Sequence, residues 1–289
     1  MTTAAQWLEG ARPRTLPAAL APVLVGTGAA AAADGARAGR ALLALVVALS
    51  LQVAVNYAND YSDGIRGTDA DRVGPLRLVG SGTAAPASVK AAALGGVGVA
   101  MLAGLVLALM TTLWLVPFGA VMVAAAWGYT GGATPYGYRG YGEVSVFVFF
   151  GLVAVMGTTW VQLERFTPAS ALGGVACGAL ACAILVTNNL RAIPSDTVSG
   201  KRTLAVVLGD RRSRLLYPAL VGVAFACVVL LAAVTPWALL GLLAAPLALG
   251  PVAQVREGRL GRDLVPVLRE TGRLQLVLGA LLAVGLSLA

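Results

Sequence analysis

Nine apolar runs, each roughly 17–21 residues long, dominate this sequence and fix the solvent in which it can fold. A helix rises about 1.5 Å per residue, so each run is close to the length that crosses ~30 Å of hydrocarbon. The runs fall near residues 16–33, 41–58, 91–110, 113–129, 144–161, 169–187, 215–235, 237–255 and 274–289. Only 12% of the 289 residues are charged, whereas a soluble domain carries about 25%. Polar surface for an aqueous globule is missing. The expectation is an all-α, polytopic membrane bundle of about nine transmembrane helices, forming a single domain over residues 1–289. The 36 glycines are spread through the runs, as suits helices that must approach closely without an aqueous hydrophobic drive.

Basic residues orient the bundle, because cytoplasmic loops carry the excess of Lys and Arg. With the N-terminus inside, the inner segments hold eighteen of the basic residues, from Arg12 and Arg14 to Arg269 and Arg273, and the outer ones only Arg37, Arg40 and Arg165. The N-terminus is therefore expected inside and the C-terminus outside, in the plasma membrane. The formal charge of +8 becomes a property of the cytoplasmic face, suited to membrane lipid headgroups or an anionic substrate. Nucleic acid is not an expected partner, since the basic residues sit in membrane-apposed loops with no aromatic-interleaved patch.

Histidine is absent. That removes Ser–His–Asp and Cys–His nucleophile systems, His-ligated zinc and His-ligated haem. Cys177, Cys182 and Cys227 lie inside apolar runs with no CxxC pair and read as small core hydrophobes. Chemistry must rest on carboxylates, amides, hydroxyls and cations.

Two inner segments supply these. Residues 56–82 contain Asp60, Asp63, Asp69 and Asp71, led by Asn56 and Asn59 and interleaved with Arg66, Arg72 and Arg77. Asn56, Asp60 and Asp63 are spaced i, i+4, i+7 and share one face if the second helix continues through them. Carboxylates so close repel unless a cation lies between, and hard oxygen donors without sulfur or imidazole point to Mg²⁺. Residues 188–214 repeat the arrangement, with Asn188, Asn189 and Arg191 ending a helix, then Asp196, Lys201 and Arg202. Acidic and basic clusters at the inner ends of two helices can hold a diphosphate, with Mg²⁺ on the carboxylates and Lys/Arg on the remaining oxygens. At membrane depth the natural ligand is a lipid with a diphosphate head. A third inner segment, 129–143, brings Tyr136, Tyr138 and Tyr141. Their ring faces can stabilise a developing cation, and tyrosine is equally at home as an interfacial anchor.

These residues together resemble the UbiA superfamily of intramembrane aromatic prenyltransferases, and within it the 1,4-dihydroxy-2-naphthoate branch. The likeness runs over most of the chain: ARPRTLP, NDYSD followed by GTD and RVGPLR, the YTGG–PYGY–GYGE loop, and NNLR followed by GKRTLAVVLG. It implies a nine-helix bundle, two Mg²⁺ ions on a polyprenyl diphosphate, and an aromatic acceptor, 1,4-dihydroxy-2-naphthoate, entering the same cavity. On that pattern Asp60 and Asp63 match the first metal motif with Asn56 in support, and Asp196 matches the last acid of the second. Arg72, Arg77, Lys201 and Arg202 are candidates for the diphosphate, with Asn188, Arg191, Tyr136 and Tyr138 for substrate, and Asp69 is a candidate for the acceptor's proton. The implied reaction ionises the diphosphate to an allylic carbocation, which the ring attacks with loss of CO₂ to give demethylmenaquinone. One position departs from the pattern. Ala192 stands where the second motif has its first aspartate, and a methyl cannot ligate Mg²⁺. Either Asp196 and its neighbours hold a second metal alone, or the chain is a weakened variant.

Other readings fit less of the chain. A transporter places ionisable groups near the midplane, where these runs have essentially none. A CDP-alcohol phosphatidyltransferase would need Ala-Arg where Gly67 and Thr68 stand. Within the superfamily, 4-hydroxybenzoate is the nearest alternative acceptor.

Overall fold

A computed structural model describes residues 2–67 and 76–289, and the described residues are helices joined by short turns. The proposed roles of Asp69 and Arg72 fall on residues outside the described ones. In chain order the helices are α1 (Ala4–Gly10), α2 (Pro17–Ala31), α3 (Ala38–Ile65), α4 (Pro86–Met110) and α5 (Leu115–Gly128). Then come α6 (Gly142–Val146), α7 (Ala154–Leu163), α8 (Pro168–Val198), α9 (Leu204–Leu231), α10 (Pro246–Arg256) and α11 (Val265–Ser287). A π-helical stretch, Phe147–Val153, joins α6 to α7 in one continuous rod, and a 3-10 stretch, Pro236–Ala244, precedes α10. Local sequence sets the ends. Thr3 and Gln6 close a reciprocal capping box on α1, and Thr167 with Ser170 does the same for α8, where Pro168 occupies the first turn.

All nine apolar runs are helical, but they are not nine equal spans. Five helices are each long and apolar enough to cross a bilayer alone: α3, α4, the α6–α7 rod, α8 and α9. The eighth run bends by 46° between Pro236–Ala244 and Pro246–Arg256, where Pro246 lacks the N–H that would continue the ladder. With that bent pair the count among the described residues is six, while α2 and α5 are shorter apolar helices. Gly209, at φ 75° and ψ 170°, also breaks α9 one turn after its start. Such a conformation is open to glycine at little cost.

Helix α8 is the centre of the bundle, with Ala176, Ala179, Leu180 and Ala183 fully buried among residues of α2, α9 and α11. Small residues let the backbones touch. A Cβ on Gly151 would sit 2.5 Å from the Gly174 carbonyl oxygen and from the Gly178 Cα, and one on Gly28 would sit 2.7 Å from the Ala283 Cα. Outward-facing leucines such as Leu102, Leu109, Leu243 and Leu249 remain exposed, a surface that lipid covers. The chain is an integral membrane protein. At the end opposite the acidic loops, buried Arg40 donates to the Met110 carbonyl (2.6 Å) and the Val161 carbonyl (2.9 Å) and pairs with Glu164 at 3.1 Å. One guanidinium thus satisfies the carbonyl ends of α4 and α7.

Candidate active site

The last turns of α3 carry the site. Gln52, Asn56, Asp60 and Asp63 are all buried there, on the shared face that the i, i+4, i+7 spacing predicts. Gln52 and Asn56 both donate to the Thr15 hydroxyl at 2.9 Å, and Asn56 also donates to the Ala11 carbonyl at 2.9 Å. The Tyr57 hydroxyl donates to the Trp7 carbonyl at 2.8 Å. Together these bonds strap the N-terminal segment across α3.

The two aspartates then divide their work. Asp60, with no exposed surface, accepts the backbone N–H of Leu78 (2.8 Å) and of Val79 (3.0 Å). Each of its oxygens has a backbone partner and keeps a second lone pair. Asp63 faces cations instead: Lys201 Nζ lies 3.3 Å from one oxygen and Arg77 Nη2 3.5 Å from the other, and the Tyr138 hydroxyl donates to it. Because Asp60 pins the turn that begins at Leu78, it also delivers Arg77 to Asp63.

Lys201 joins the two motifs physically. Its backbone N–H donates to the Asp196 carbonyl (2.8 Å) at the end of α8, while its ammonium reaches Asp63 on α3. The same ammonium lies 4.5 Å from the centroid of Tyr138, with the Arg66 guanidinium 5.8 Å from that ring, both within cation–π range. Arg202 donates its backbone N–H to the Tyr138 carbonyl at 2.9 Å. Three segments far apart in sequence therefore meet at Asp63, Tyr138 and Lys201.

Helix α8 runs unbroken through Pro194 to Val198, so Asn188, Ala192 and Asp196 lie along one face. Asn188 accepts from Arg191 Nη2 at 2.9 Å. The Ala192 methyl is buried and Asp196 is half-buried. Among the described residues, no three acidic or thiol side chains converge as a ready cation site, because Asp60 turns to backbone amides and Asp63 to cations. The donor set still fits Mg²⁺ brought in with a diphosphate: it is all oxygen, and Mg²⁺ commonly takes one or two carboxylates with the rest from substrate phosphates and water.

The tyrosines separate by role. Tyr138 enters the site, whereas the Tyr136 hydroxyl donates to the Ala125 carbonyl at 2.8 Å and meets Ser145 at 3.2 Å, supporting the loop from behind. Burial raises the Tyr136 phenol pKa against that Ser145 bond. Tyr141 is exposed. Tyr129 was not singled out by the sequence; burial, then the charge of Glu143, pushes its phenol up so that it stays a donor. Glu143 is another residue that sequence reasoning passed over. It is buried, with Oε1 accepting from Asn189 Nδ2 at 3.0 Å. The acid closing GYGE was visible, but nothing in the spacing indicated that it turns inward. Gln52 was equally hidden, and Arg66 was named among the basic residues of its loop without a partner, since the groups they meet lie in other segments.

The UbiA prenyltransferase family matches residues 19–263. A 1,4-dihydroxy-2-naphthoate octaprenyltransferase of Mycobacterium tuberculosis is 57% identical over 96% of this chain and 95% of its own. One from Escherichia coli is 38% identical over 98% and 95%. Among solved structures, an apo UbiA homolog from Aeropyrum pernix K1 superposes with a TM-score of 0.72 at 16% identity, covering 92% of this chain and 97% of its own. A UbiA homolog from Archaeoglobus fulgidus bound to DMAPP and Mg²⁺ gives 0.63 at 15% identity over 98% and 100%. With a family match over most of its length and the two inner motifs joined at one buried site, the chain belongs to the UbiA prenyltransferase family.

Proposed function

We propose that the protein transfers a polyprenyl group from a polyprenyl diphosphate to 1,4-dihydroxy-2-naphthoate, releasing diphosphate and CO₂ and giving the hydroquinone form of demethylmenaquinone, which is isolated as demethylmenaquinone after oxidation in air. The observation that carries this reading is the junction of Asp63 with Arg77, Lys201 and Tyr138, a buried anion-binding group at the end of a membrane bundle. It stands on a chain 57% identical to a 1,4-dihydroxy-2-naphthoate octaprenyltransferase. Lys201 and Arg77, the cations that meet at this carboxylate, are the groups to receive the diphosphate oxygens, and burial strengthens each contact.

Arg77, Lys201 and Arg202, with Arg72 and Arg191, hold the diphosphate. Asp63 and Asp196 would hold Mg²⁺, with Asn56 and Asp60 supporting that end of α3. Mg²⁺, when bound, neutralises diphosphate charge and so assists its departure. The chain's own share is to fix the diphosphate against Lys201 and Arg77, to keep water out, and to present ring faces such as Tyr138 to the developing cation. Nine crossings as one domain, with the N-terminus inside the plasma membrane and the site opening to the cytoplasm, complete the reading. Membrane lipid surrounds the bundle and the prenyl chain enters from it.

The test is an assay of the purified protein with 1,4-dihydroxy-2-naphthoate, 4-hydroxybenzoate and a series of prenyl diphosphates, with products identified by mass. Demethylmenaquinone formed from the naphthoate, lost with chelator and restored by Mg²⁺, is the expected result. Turnover of 4-hydroxybenzoate alone, or none with any acceptor, overturns it.

A further inference from the structure

Glu143 is 6% exposed and meets no Lys or Arg among the described residues. Its Oε1 accepts from the Asn189 amide and the residue's own backbone N–H also supports the carboxyl, while Oε2 is buried and meets no donor. A carboxylate in such a place is costly, and an acid is not needed merely to hold α6 against α8. A glutamine could accept from Asn189 without carrying charge. An unsatisfied buried acid calls for a ligand or a chemical role.

Its surroundings indicate which. Asn189 lies seven residues before Asp196 on α8, about 10 Å back into the bundle at 1.5 Å per residue. Glu143 is thus set deeper than the groups that face a diphosphate. The Tyr129 hydroxyl lies against the backbone beside Glu143, 3.2 Å from where a Cβ on Gly142 would sit, and its phenol feels the charges of both Glu143 and Asp63, so the acid belongs to the same side of the bundle as the site. Of the other described acids of the site, Asp60 is engaged by two backbone amides and Asp63 by two cations and a phenol, Asp196 stands at the diphosphate end of α8, seven residues beyond Asn189, and the chain has no histidine.

We propose that Glu143 receives a ring hydroxyl of the aromatic acceptor on Oε2 and takes its proton as the carbon–carbon bond forms. This rests on the acceptor class proposed above. The acceptor O–H bond breaks and its proton passes to Oε2, while the O–H electron pair becomes the π bond of a ring carbonyl. The displaced ring π pair forms the new C–C bond to the allylic carbocation. The diphosphate has already left with the C–O bonding pair; the ring then loses its carboxylate as CO₂, the C–C pair re-forms the aromatic ring and the ring oxygen takes a proton back from Oε2, so the product is the hydroquinone and no oxidant enters.

The test compares wild type with E143Q, using 1,4-dihydroxy-2-naphthoate and its two mono-O-methyl ethers at saturating prenyl diphosphate. E143Q should lose about a hundredfold in kcat, while prenyl diphosphate affinity, measured by direct binding, stays within about twofold. In the wild type one ether should be a much poorer substrate than the other, and in E143Q that difference should vanish. Wild-type kcat in E143Q, or the same preference between ethers in both proteins, overturns the proposal. If E143Q does not fold, wild type carries the test through the ethers with E143D: equal use of both ethers by wild type, or an ether preference unchanged in E143D, overturns it. A wild type that ignores the naphthoate altogether overturns the acceptor reading instead, which separates the two failures.

Discussion

Replacing Asp60 by alanine should damage the fold of the site more than its chemistry, and the geometry gives the size of the loss. Asp60 has no exposed surface and accepts two backbone N–H groups, from Leu78 at 2.8 Å and Val79 at 3.0 Å. Hydrogen bonds to a charged group contribute about 1.5–3 kcal/mol each, so two amount to roughly 3–6 kcal/mol. The truncation also strands two donors in a place that water does not reach. For a chain of this size, each kcal/mol moves Tm by about 2–4 °C, so thermal unfolding in detergent should begin at least ~6 °C lower. Asp63→Ala is the comparison. Its loss strands the buried Lys201 and Arg77 cations, so Tm should fall here as well, and what sets it apart is turnover, which should fall at least about a hundredfold, some 2.7 kcal/mol in the barrier. A D60A protein that melts with the wild type would refute the reasoning, because Asp60 would then not be what holds the Leu78–Val79 turn.

Lys201→Met keeps the stem over Tyr138 but removes the charge; it should weaken prenyl diphosphate binding by about 10- to 150-fold, the worth of one charge-assisted contact, as measured by direct binding. Ala192→Asp places a carboxylate between Asn188 and Asp196 on an unbroken helical face; across a Mg²⁺ titration it should lower the metal concentration needed for half-maximal rate and raise turnover, and unchanged metal dependence would mean that position 192 is not a ligand. A reporter fused after Ala289 should be found outside the cytoplasm and one inserted near Gly200 inside, in line with the basic residues of the inner loops; both on one side would rule out nine crossings.

Chain composition and run length were enough to determine the environment of this protein, because a bilayer demands helices and the apolar runs declare themselves one at a time. All nine runs are helical, and the face shared by Asn56, Asp60 and Asp63 follows from periodicity alone. What periodicity does not carry is continuity: the bend between Ala244 and Pro246 and the break at Gly209 depend on how prolines and glycines are used against neighbouring helices. The division of labour within the site was also out of reach. Asp60 and Asp63 look alike in the sequence, and only the approach of Leu78 and Val79 to one and of Lys201, Arg77 and Tyr138 to the other distinguishes them. Tyr136 and Tyr138 differ for the same reason, one held against Ala125 and the other against Asp63. Glu143 became significant only when its partner on α8, 46 residues away, was seen to satisfy one oxygen and leave the other without a donor. A linear pattern reports which groups share a helix face; which partner each buried charge finds is decided by segments that packing, not sequence proximity, brings together.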